Sequence, residues 1–304
     1  MKRELAFYFN PNNPQRKLVL LAFAEEGIKY VGIDGTGWDP DTQIGEIKQL
    51  NEDLENFGLK MLSMHSCFPI TADGKNEAPH ELYEEQIREL RRFGLFGGKT
   101  AVYHACFMRD IAPENIDARI SELGWENFLD SNVKTLQKLS DEAAKYGINL
   151  VLENLWHSVH SESVEGFIPI VKAADRSNIG ICLDSGHAHL AGKNVADEIR
   201  KAGKLLKDTH FHDNIGKVNG IFLDQHLPPG LGTINWQNAC EALDEIDYSH
   251  PLCFEGILGN GDDLEKGRFK GMMTYNQILR LASTNWRAFE FLTEDKEKVA
   301  GRKG

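Results

Sequence analysis

At one junction the sequence reads Tyr146-Gly147-Ile148-Asn149-Leu150-Val151-Leu152-Glu153-Asn154. The residues before it, from Phe128 to Tyr146, carry apolar side chains at three- and four-residue spacing, which is typical of an amphipathic helix. Gly147 can adopt the left-handed conformation that ends a helix. The apolar run that follows predicts a strand from Asn149 to Glu153, and this strand ends on a carboxylate.

The same helix-to-strand pattern recurs along the chain. Helical stretches from Leu18 to Glu26 and from Ile44 to Phe57 also stop at a glycine, Gly27 or Gly58. The predicted strands are Leu5–Phe9, Tyr30–Asp34, Lys60–His65, Thr100–His104, Asn149–Glu153, Gly180–Asp184, Thr209–His212 and Leu252–Glu255. Eight alternating strand and helix units predict an α/β fold, a single (β/α)8 TIM barrel that forms one domain over residues 1–304.

The composition narrows the classes of partner. The 304 residues are 41% hydrophobic and 26% charged, with a formal net charge of -12. No window approaches the roughly 20 apolar residues of a membrane span, and the first residues lack the features of a signal peptide, so no membrane role is expected. The negative charge disfavours binding to nucleic acid. Five cysteines without paired spacing predict reduced thiols and a cytoplasmic location.

Polar side chains fall where the predicted strands end. The ends of six strands carry His65, His104, Glu153, Asp184, His210 and Glu255. In a parallel barrel these ends meet at one mouth, where active sites lie. A carboxylate directly after apolar strand residues is costly unless it is paired, hydrogen-bonded or bound to a metal.

Four of these residues form a set of metal ligands. Glu153, Asp184, His210 and Glu255 offer three oxygen ligands and one nitrogen ligand, a set that suits Mn²⁺, Mg²⁺, Co²⁺ or Zn²⁺. Each residue alone could instead cap a helix or satisfy a loop. Four of them at four strand ends favour a metal site, because unpaired carboxylates are rarely buried.

On these residues the chain resembles the xylose-isomerase-like (AP endonuclease 2) barrel superfamily, and the resemblance covers nearly the whole chain. The motifs that carry it are Glu153-Asn154, Leu183-Asp184-Ser185-Gly186-His187, His210-Phe211-His212-Asp213-Asn214 and the loop from Asp224 to Trp236. These motifs are specific for the superfamily but do not name a substrate.

The sugar isomerase and epimerase branch of this superfamily implies a mechanism. By resemblance, the four ligands hold one divalent ion, with Mn²⁺ the first expectation and Co²⁺, Zn²⁺ or Mg²⁺ the alternatives. Glu153 and Glu255 would be the catalytic residues, moving a proton between neighbouring carbons of a small carbohydrate through an enediolate. The residues expected to bind the substrate are His65, His104, Trp156, His187 and His226.

Two other chemistries fit the same residues. The endonuclease IV branch implies three zinc ions for cutting abasic DNA, and its nine ligand positions match His65, His104, Glu153, Asp184, His187, His210, Asp224, His226 and Glu255. In that case His65, His104, His187, Asp224 and His226 would hold additional metal. Alternatively, the single-metal site could act as a lyase or hydrolase on a 3-keto-glycoside, because an enolate expels a neighbouring leaving group.

The charges predicted on the rim of the barrel argue against a DNA-cutting enzyme. DNA binding needs clustered basic groups, but the rim arginines are spread among acids. The residues concerned are Arg16, Arg109, Arg119 and Arg268, against Asp39, Asp41, Asp110, Glu114, Asp117, Asp262 and Asp263.

The loop after the fourth strand, from Cys106 to Glu126, is long. Loops of this length are often functional. We expect it to cover the site or to contact a neighbouring subunit in a homo-oligomer.

Overall fold

The chain folds into the predicted (β/α)8 barrel. The computed structural model describes residues 2–258 and 272–301, with the backbone alone for 295–301. The eight parallel strands of the barrel are β1 (Leu5–Phe9), β2 (Tyr30–Asp34), β3 (Lys60–His65), β4 (Thr100–His104), β5 (Asn149–Glu153), β6 (Ile179–Asp184), β7 (Leu206–His210) and β8 (Leu252–Phe254). From β1 to β7 each strand pairs with the next, and β8 pairs with β1.

Helices surround the strands. They are α1 (Arg16–Glu25), α2 (Ile44–Asn56), α3 (His80–Leu95), α4 (Ile116–Leu123), α5 (Trp125–Ala144), α6 (Val164–Ala174), α7 (Ser185–Leu190), α8 (Val195–Ala202), α9 (Trp236–Glu245) and α10 (Tyr275–Gly301). Within the described ranges, none of them combines the length and the apolar composition needed to cross a lipid bilayer.

Most predicted boundaries are confirmed, and the seventh strand is the main error. The bounds of β1 to β5 match the prediction, while β6 begins one residue earlier and β8 ends one residue earlier. The predicted strand Thr209–His212 is wrong, because β7 runs from Leu206 to His210. The strand includes the polar residues Lys207 and Asp208, because Lys207 reaches the carbonyl of Ser177 and Asp208 is hydrogen-bonded inside the barrel.

The glycines predicted to end helices are confirmed, although the helices end one or two residues earlier than predicted, and the loop after β4 is more ordered than expected. Gly27, Gly58 and Gly147 have φ angles of 72°, 69° and 68°, the left-handed conformation that ends a helix. The segment Cys106–Glu126 contains a 3₁₀ turn at Pro113–Asn115, the helix α4 and the start of α5. Its apolar residues Ile116 and Ile120 are buried, and they anchor α4 to the core.

A narrow contact closes the barrel between β7 and β8. The backbone N–H of Phe211 donates to the carbonyl of Cys253 at 2.8 Å, and the N–H of Cys253 donates to the hydroxyl of Thr209 at 3.0 Å. This closure brings Glu255 beside His210.

The interior of the barrel forms a floor beneath the mouth. Side chains two residues apart on a strand share a face, so the positions two residues before the strand-end groups point inward as well. These floor residues are Ser63, Val102, Val151, Cys182, Asp208 and Cys253, and all are buried. The larger apolar core lies outside the barrel, between strands and helices.

Candidate metal centre

Four strand ends bring Glu153, Asp184, His210 and Glu255 together. One ligand atom from each lies within 4.8 Å of the others. His210 is central: its Nδ1 is 3.1 Å from Oε1 of Glu153 and 3.3 Å from Oε2 of Glu255. Residues from four separate strands thus share one small space.

The unpaired polar atoms of this group fit a bound cation. Glu153 and His210 are fully buried, yet among the described residues neither oxygen of Glu153 nor Nδ1 of His210 has a hydrogen-bond partner. Leaving such groups unpaired costs free energy, and a metal ion would satisfy all of them at once. The donors match the three-oxygen, one-nitrogen set expected from the sequence.

Asp184 makes other contacts besides. One carboxylate oxygen accepts from the N–H of His187 at 2.6 Å and caps α7, and the other lies 3.0 Å from Nε2 of His212. Burial and the charges of Glu153 and Glu255 together raise the pKa of Asp184 to about 7, against the opposing charge of His187. Part of this rise is the mutual repulsion of the three carboxylates of the set.

The two glutamates are held ionised. Burial alone would raise the pKa of Glu153, but contact with His210 and His65 outweighs it and lowers the pKa well below the usual range. The pKa of Glu255 is lowered in the same way by His210. Ionised carboxylates are the form that binds metal or accepts a proton.

His65 and His104 form a pair beside Glu153. Their Nε2 atoms are 2.9 Å apart, and Nε2 of His65 is 3.2 Å from Oε2 of Glu153. Burial opposes the charge on His65, but the nearby carboxylate of Glu153 raises its pKa to about 9. Burial and the charge of His65 lower the pKa of His104 to about 3.

The remaining predicted residues lie on the opposite flank. Nδ1 of His187 is 3.5 Å from Glu153, and its Nε2 is 3.8 Å from Asp224. His226 pairs with Asp224 at 3.1 Å, and its ring stacks on that of His212 with centroids 3.8 Å apart. All nine positions of the nuclease pattern therefore lie around one centre.

The centre opens into a cavity of about 390 Å³. Its lining residues are Tyr8, Phe9, Asp34, His65, His104, Phe107, Glu153, Leu155, Trp156, His157, His187, His226, Glu255 and Gly256. Trp156 packs on His187 with ring centroids 4.5 Å apart. Trp38 and Trp125, which follow the second and fourth strands in sequence, pack against Phe96 and Phe128 instead.

The sequence reasoning missed three residues of this site. Asp34 is the last residue of β2, so the strand-end rule that found Glu153 could have found it. Tyr8 lies in the buried run of β1, where an aromatic residue is typical of the core. His212 was noticed in the motif, but no contact with Asp184 was foreseen.

A buried carboxylate, Asp213, fixes the loop that carries Asp224 and His226. It accepts hydrogen bonds from the N–H groups of Asn214, Gly230 and Ile234 at 2.9, 2.9 and 3.2 Å, and from the indole of Trp236 at 2.8 Å. Asp213 is therefore structural, although it belongs to the motif that begins at His210.

Replacing Asp213 with alanine should lower the free energy of unfolding by about 3 kcal/mol, because several buried donors lose their acceptor. Urea denaturation measures this loss. Asp130→Ala, on the exposed face of α5, is the matched control and should change little. A stability of Asp213→Ala equal to that of the control would show that the loop is held by other contacts.

The described rim arginines are paired with acids. Arg16 contacts Asp53 at 2.5 Å and Arg109 contacts Asp110 at 3.2 Å. Arg119 contacts Glu122 at 2.9 Å. Asp262, Asp263 and Arg268 lie outside the described residues. The paired arginines offer little free positive charge for DNA phosphates.

Comparisons with known proteins agree with the geometry. A family model described as a xylose isomerase-like TIM barrel matches residues 20–271. An uncharacterized protein of Methanocaldococcus jannaschii is 34% identical over 216 residues, which cover 69% of this chain and 68% of that protein. Inosose isomerase of Bacillus subtilis is 32% identical over 132 residues, 43% of this chain and 48% of that enzyme. The chain thus aligns with about half the length of that isomerase.

Solved structures share the fold. A D-psicose 3-epimerase crystallised in the presence of D-fructose has a TM-score of 0.71 at 16% identity, covering 95% of this chain and 99% of that one. The IolI protein with a bound zinc atom has a TM-score of 0.67 at 20% identity, covering 93% and 97%. At such identities the likeness establishes the architecture.

Proposed function

Because the chain belongs to the xylose isomerase-like TIM barrel family, we propose that it is a divalent-metal-dependent sugar isomerase or epimerase. One observation carries the proposal: Glu153 and Glu255 approach the same nitrogen of His210, at 3.1 and 3.3 Å, in the cavity at the mouth of the barrel. Two ionised carboxylates beside one small site can remove a proton from a bound substrate and return it elsewhere.

Each of the four ligand residues has a role in this account. Glu153, Asp184, His210 and Glu255 would hold the ion, which when bound supplies positive charge that acidifies the carbon next to a carbonyl. One glutamate takes that proton, and the other delivers a proton to the neighbouring carbon or to the opposite face. His65, His104, His187 and His226 line the cavity and would contact substrate oxygens. Trp156 offers an apolar face for sugar C–H groups.

The charge of the cavity favours a neutral substrate. Its described lining includes Asp34, Glu153 and Glu255 but neither lysine nor arginine. Phosphate groups are normally bound by such cations or by helix N-termini. We therefore expect a neutral keto-sugar or cyclic keto-polyol. The relative named inosose isomerase and the fold neighbour named D-psicose 3-epimerase support this class.

Deuterium exchange tests the function. The metal-loaded protein is incubated in deuterated water with inosose, D-psicose, D-fructose, D-tagatose and L-ribulose, and with D-fructose 6-phosphate as the charged comparison. We expect one or more neutral compounds to gain deuterium next to the carbonyl and to yield an isomer or epimer, at least about tenfold faster than the phosphate ester. Cleavage of abasic DNA, or release of a leaving group from a 3-keto-glycoside without isomer formation, would contradict the proposal.

Asp34 is expected to bind substrate hydroxyl groups. It lines the cavity at the end of β2. Burial raises its pKa, as does the charge of Glu255. A carboxylate facing a cavity can accept hydrogen bonds from a polyol. Losing a hydrogen bond to a charged group costs about 1.5–3 kcal/mol, so Asp34→Asn should lower kcat/KM by roughly 10- to 100-fold.

The control for this prediction is Glu46→Gln on the exposed face of α2, which should leave kcat/KM unchanged. Metal content is measured in both variants, because Asp34→Asn should retain the ion. Unchanged kcat/KM for Asp34→Asn would show that Asp34 does not touch the substrate.

A further inference from the structure

One buried carboxylate in the barrel has no part in the proposed proton transfer. Asp208 lies on β7 two residues before His210, and both side chains point into the barrel. It is only 2% exposed and sits in a floor whose other members include Val102, Val151 and Cys182. A carboxylate in such a place is costly unless hydrogen bonds compensate it.

Three hydrogen bonds connect Asp208 to His210. The hydroxyl of Ser63 donates to Oδ2 of Asp208 at 2.5 Å. The hydroxyls of Ser63 and Tyr8 are 2.7 Å apart, and the hydroxyl of Tyr8 is 2.9 Å from Nε2 of His210. The Tyr8 and His210 rings meet edge to face with centroids 4.9 Å apart. These four residues, the His210 chain, join β1, β3 and β7.

Counting protons fixes the direction of this chain. A serine or tyrosine hydroxyl has one proton to donate. Ser63 gives its proton to Asp208, so it must accept from Tyr8. Tyr8 then has no proton left for His210, so it must accept one from the Nε2–H of His210. Asp208 also accepts from the N–H of Thr209 at 2.8 Å, as expected of an acceptor.

The opposite ring nitrogen faces the carboxylates. Nδ1 of His210 is the atom near Glu153 and Glu255, and a neutral imidazole with its proton on Nε2 leaves Nδ1 as the electron-pair donor. The hydrogen bond to Tyr8 thus fixes both the orientation of the His210 ring and the position of its proton on Nε2. Partners of this kind tune metal-bound histidines.

We infer that Asp208 is a positioning residue that, through Ser63 and Tyr8, holds His210 in the Nε2–H tautomer and so prepares its Nδ1 as a metal ligand. The inference rests on the metal site of the proposed function. It assigns Asp208, Ser63 and Tyr8 to metal affinity rather than to proton transfer.

Zinc affinity of the full-length protein tests the chain. Asp208→Asn, Ser63→Ala and Tyr8→Phe should each weaken Zn²⁺ binding by about 10- to 100-fold, the range known for lost outer partners of metal ligands. Ser63→Thr keeps the hydroxyl and should bind within about threefold of wild type. Because the residues act as one unit, Ser63→Ala combined with Tyr8→Phe should weaken binding no more than either change alone.

A matched control and a spectroscopic measurement distinguish loss of His210 positioning from a general disturbance of packing in the barrel floor. Val102→Ala opens the same floor without touching the chain and should leave Zn²⁺ affinity within about threefold of wild type. In zinc-loaded protein labelled with ¹⁵N-histidine, the Nε2–H of His210 should give a slowly exchanging signal, identified by its loss in His210→Gln, that broadens in Tyr8→Phe. The inference is overturned if Ser63→Ala and Tyr8→Phe bind Zn²⁺ like wild type, if Val102→Ala weakens binding equally, or if the proton resides on Nδ1. Absence of Zn²⁺ binding by wild type would instead overturn the metal site itself.

Discussion

Replacing either Glu153 or Glu255 with glutamine should lower proton exchange between substrate and water by about 10³-fold or more. General acid–base catalysis alone is worth roughly 10²–10⁴-fold, and each change also removes a negative ligand from the metal site. Glutamine keeps the shape of the side chain but cannot accept a proton at neutral pH. The measurement is deuterium incorporation into the ketose that wild type turns over.

Metal content must be measured in the same samples. Each variant is assayed at a metal concentration that fills the site, so that a loss of exchange reflects a missing carboxylate. Glu165→Gln, on the exposed start of α6, is the control and should match wild type. Both glutamine variants exchanging as fast as wild type would disprove the two-glutamate mechanism.

Saturation with Mn²⁺ or Co²⁺ should raise the melting temperature by roughly 8 °C. A ligand at about 1,000 times its Kd adds about 4 kcal/mol to the free energy of unfolding, and each kcal/mol raises Tm by about 2 °C in a protein of this size. The shift should be larger at pH 8 than at pH 6, because the pKa of Asp184 is about 7. Below that pH, a proton on Asp184 competes with the ion.

Variants locate the ion that causes this stabilisation. His210→Gln should abolish the shift, whereas Asp224→Asn should keep most of it, because Asp224 lies outside the four-residue set. Equal losses in both variants would indicate a larger cluster. If neither Mn²⁺ nor Co²⁺ changes the melting temperature of the wild type, that result would contradict a metal centre.

The fold was predictable because its signals are local. Glycines such as Gly27 and Gly147 end helices in the left-handed conformation, and the apolar runs after them contain the strands. The prediction failed at β7, where Lys207 and Asp208 are polar within a strand. Asp208 is tolerated because Ser63, 145 residues away in sequence, hydrogen-bonds to it. The sequence near residue 208 contains no pattern that predicts the contact with Ser63.

The four ligand residues of the site were predictable from the sequence, but the contacts between its side chains were not. In a parallel barrel, Glu153, Asp184, His210 and Glu255 must meet because every strand ends at one mouth. The stacking of His226 on His212 and the Tyr8 contact with His210 depend on side-chain directions that only closure of the barrel sets. Tyr8 looks like an ordinary core residue until its hydroxyl is seen beside Nε2.

Metal content tests the central claim most directly. The protein is purified without a chelator or a metal-binding tag, reconstituted with Mn²⁺, Co²⁺ or Zn²⁺, freed of excess ion and analysed by mass spectrometry beside His210→Gln. The account predicts about one ion per chain for wild type and close to none for the variant. No retained ion in wild type, or three zinc ions per chain, would contradict a single-metal sugar enzyme, and the second result would favour a phosphodiesterase.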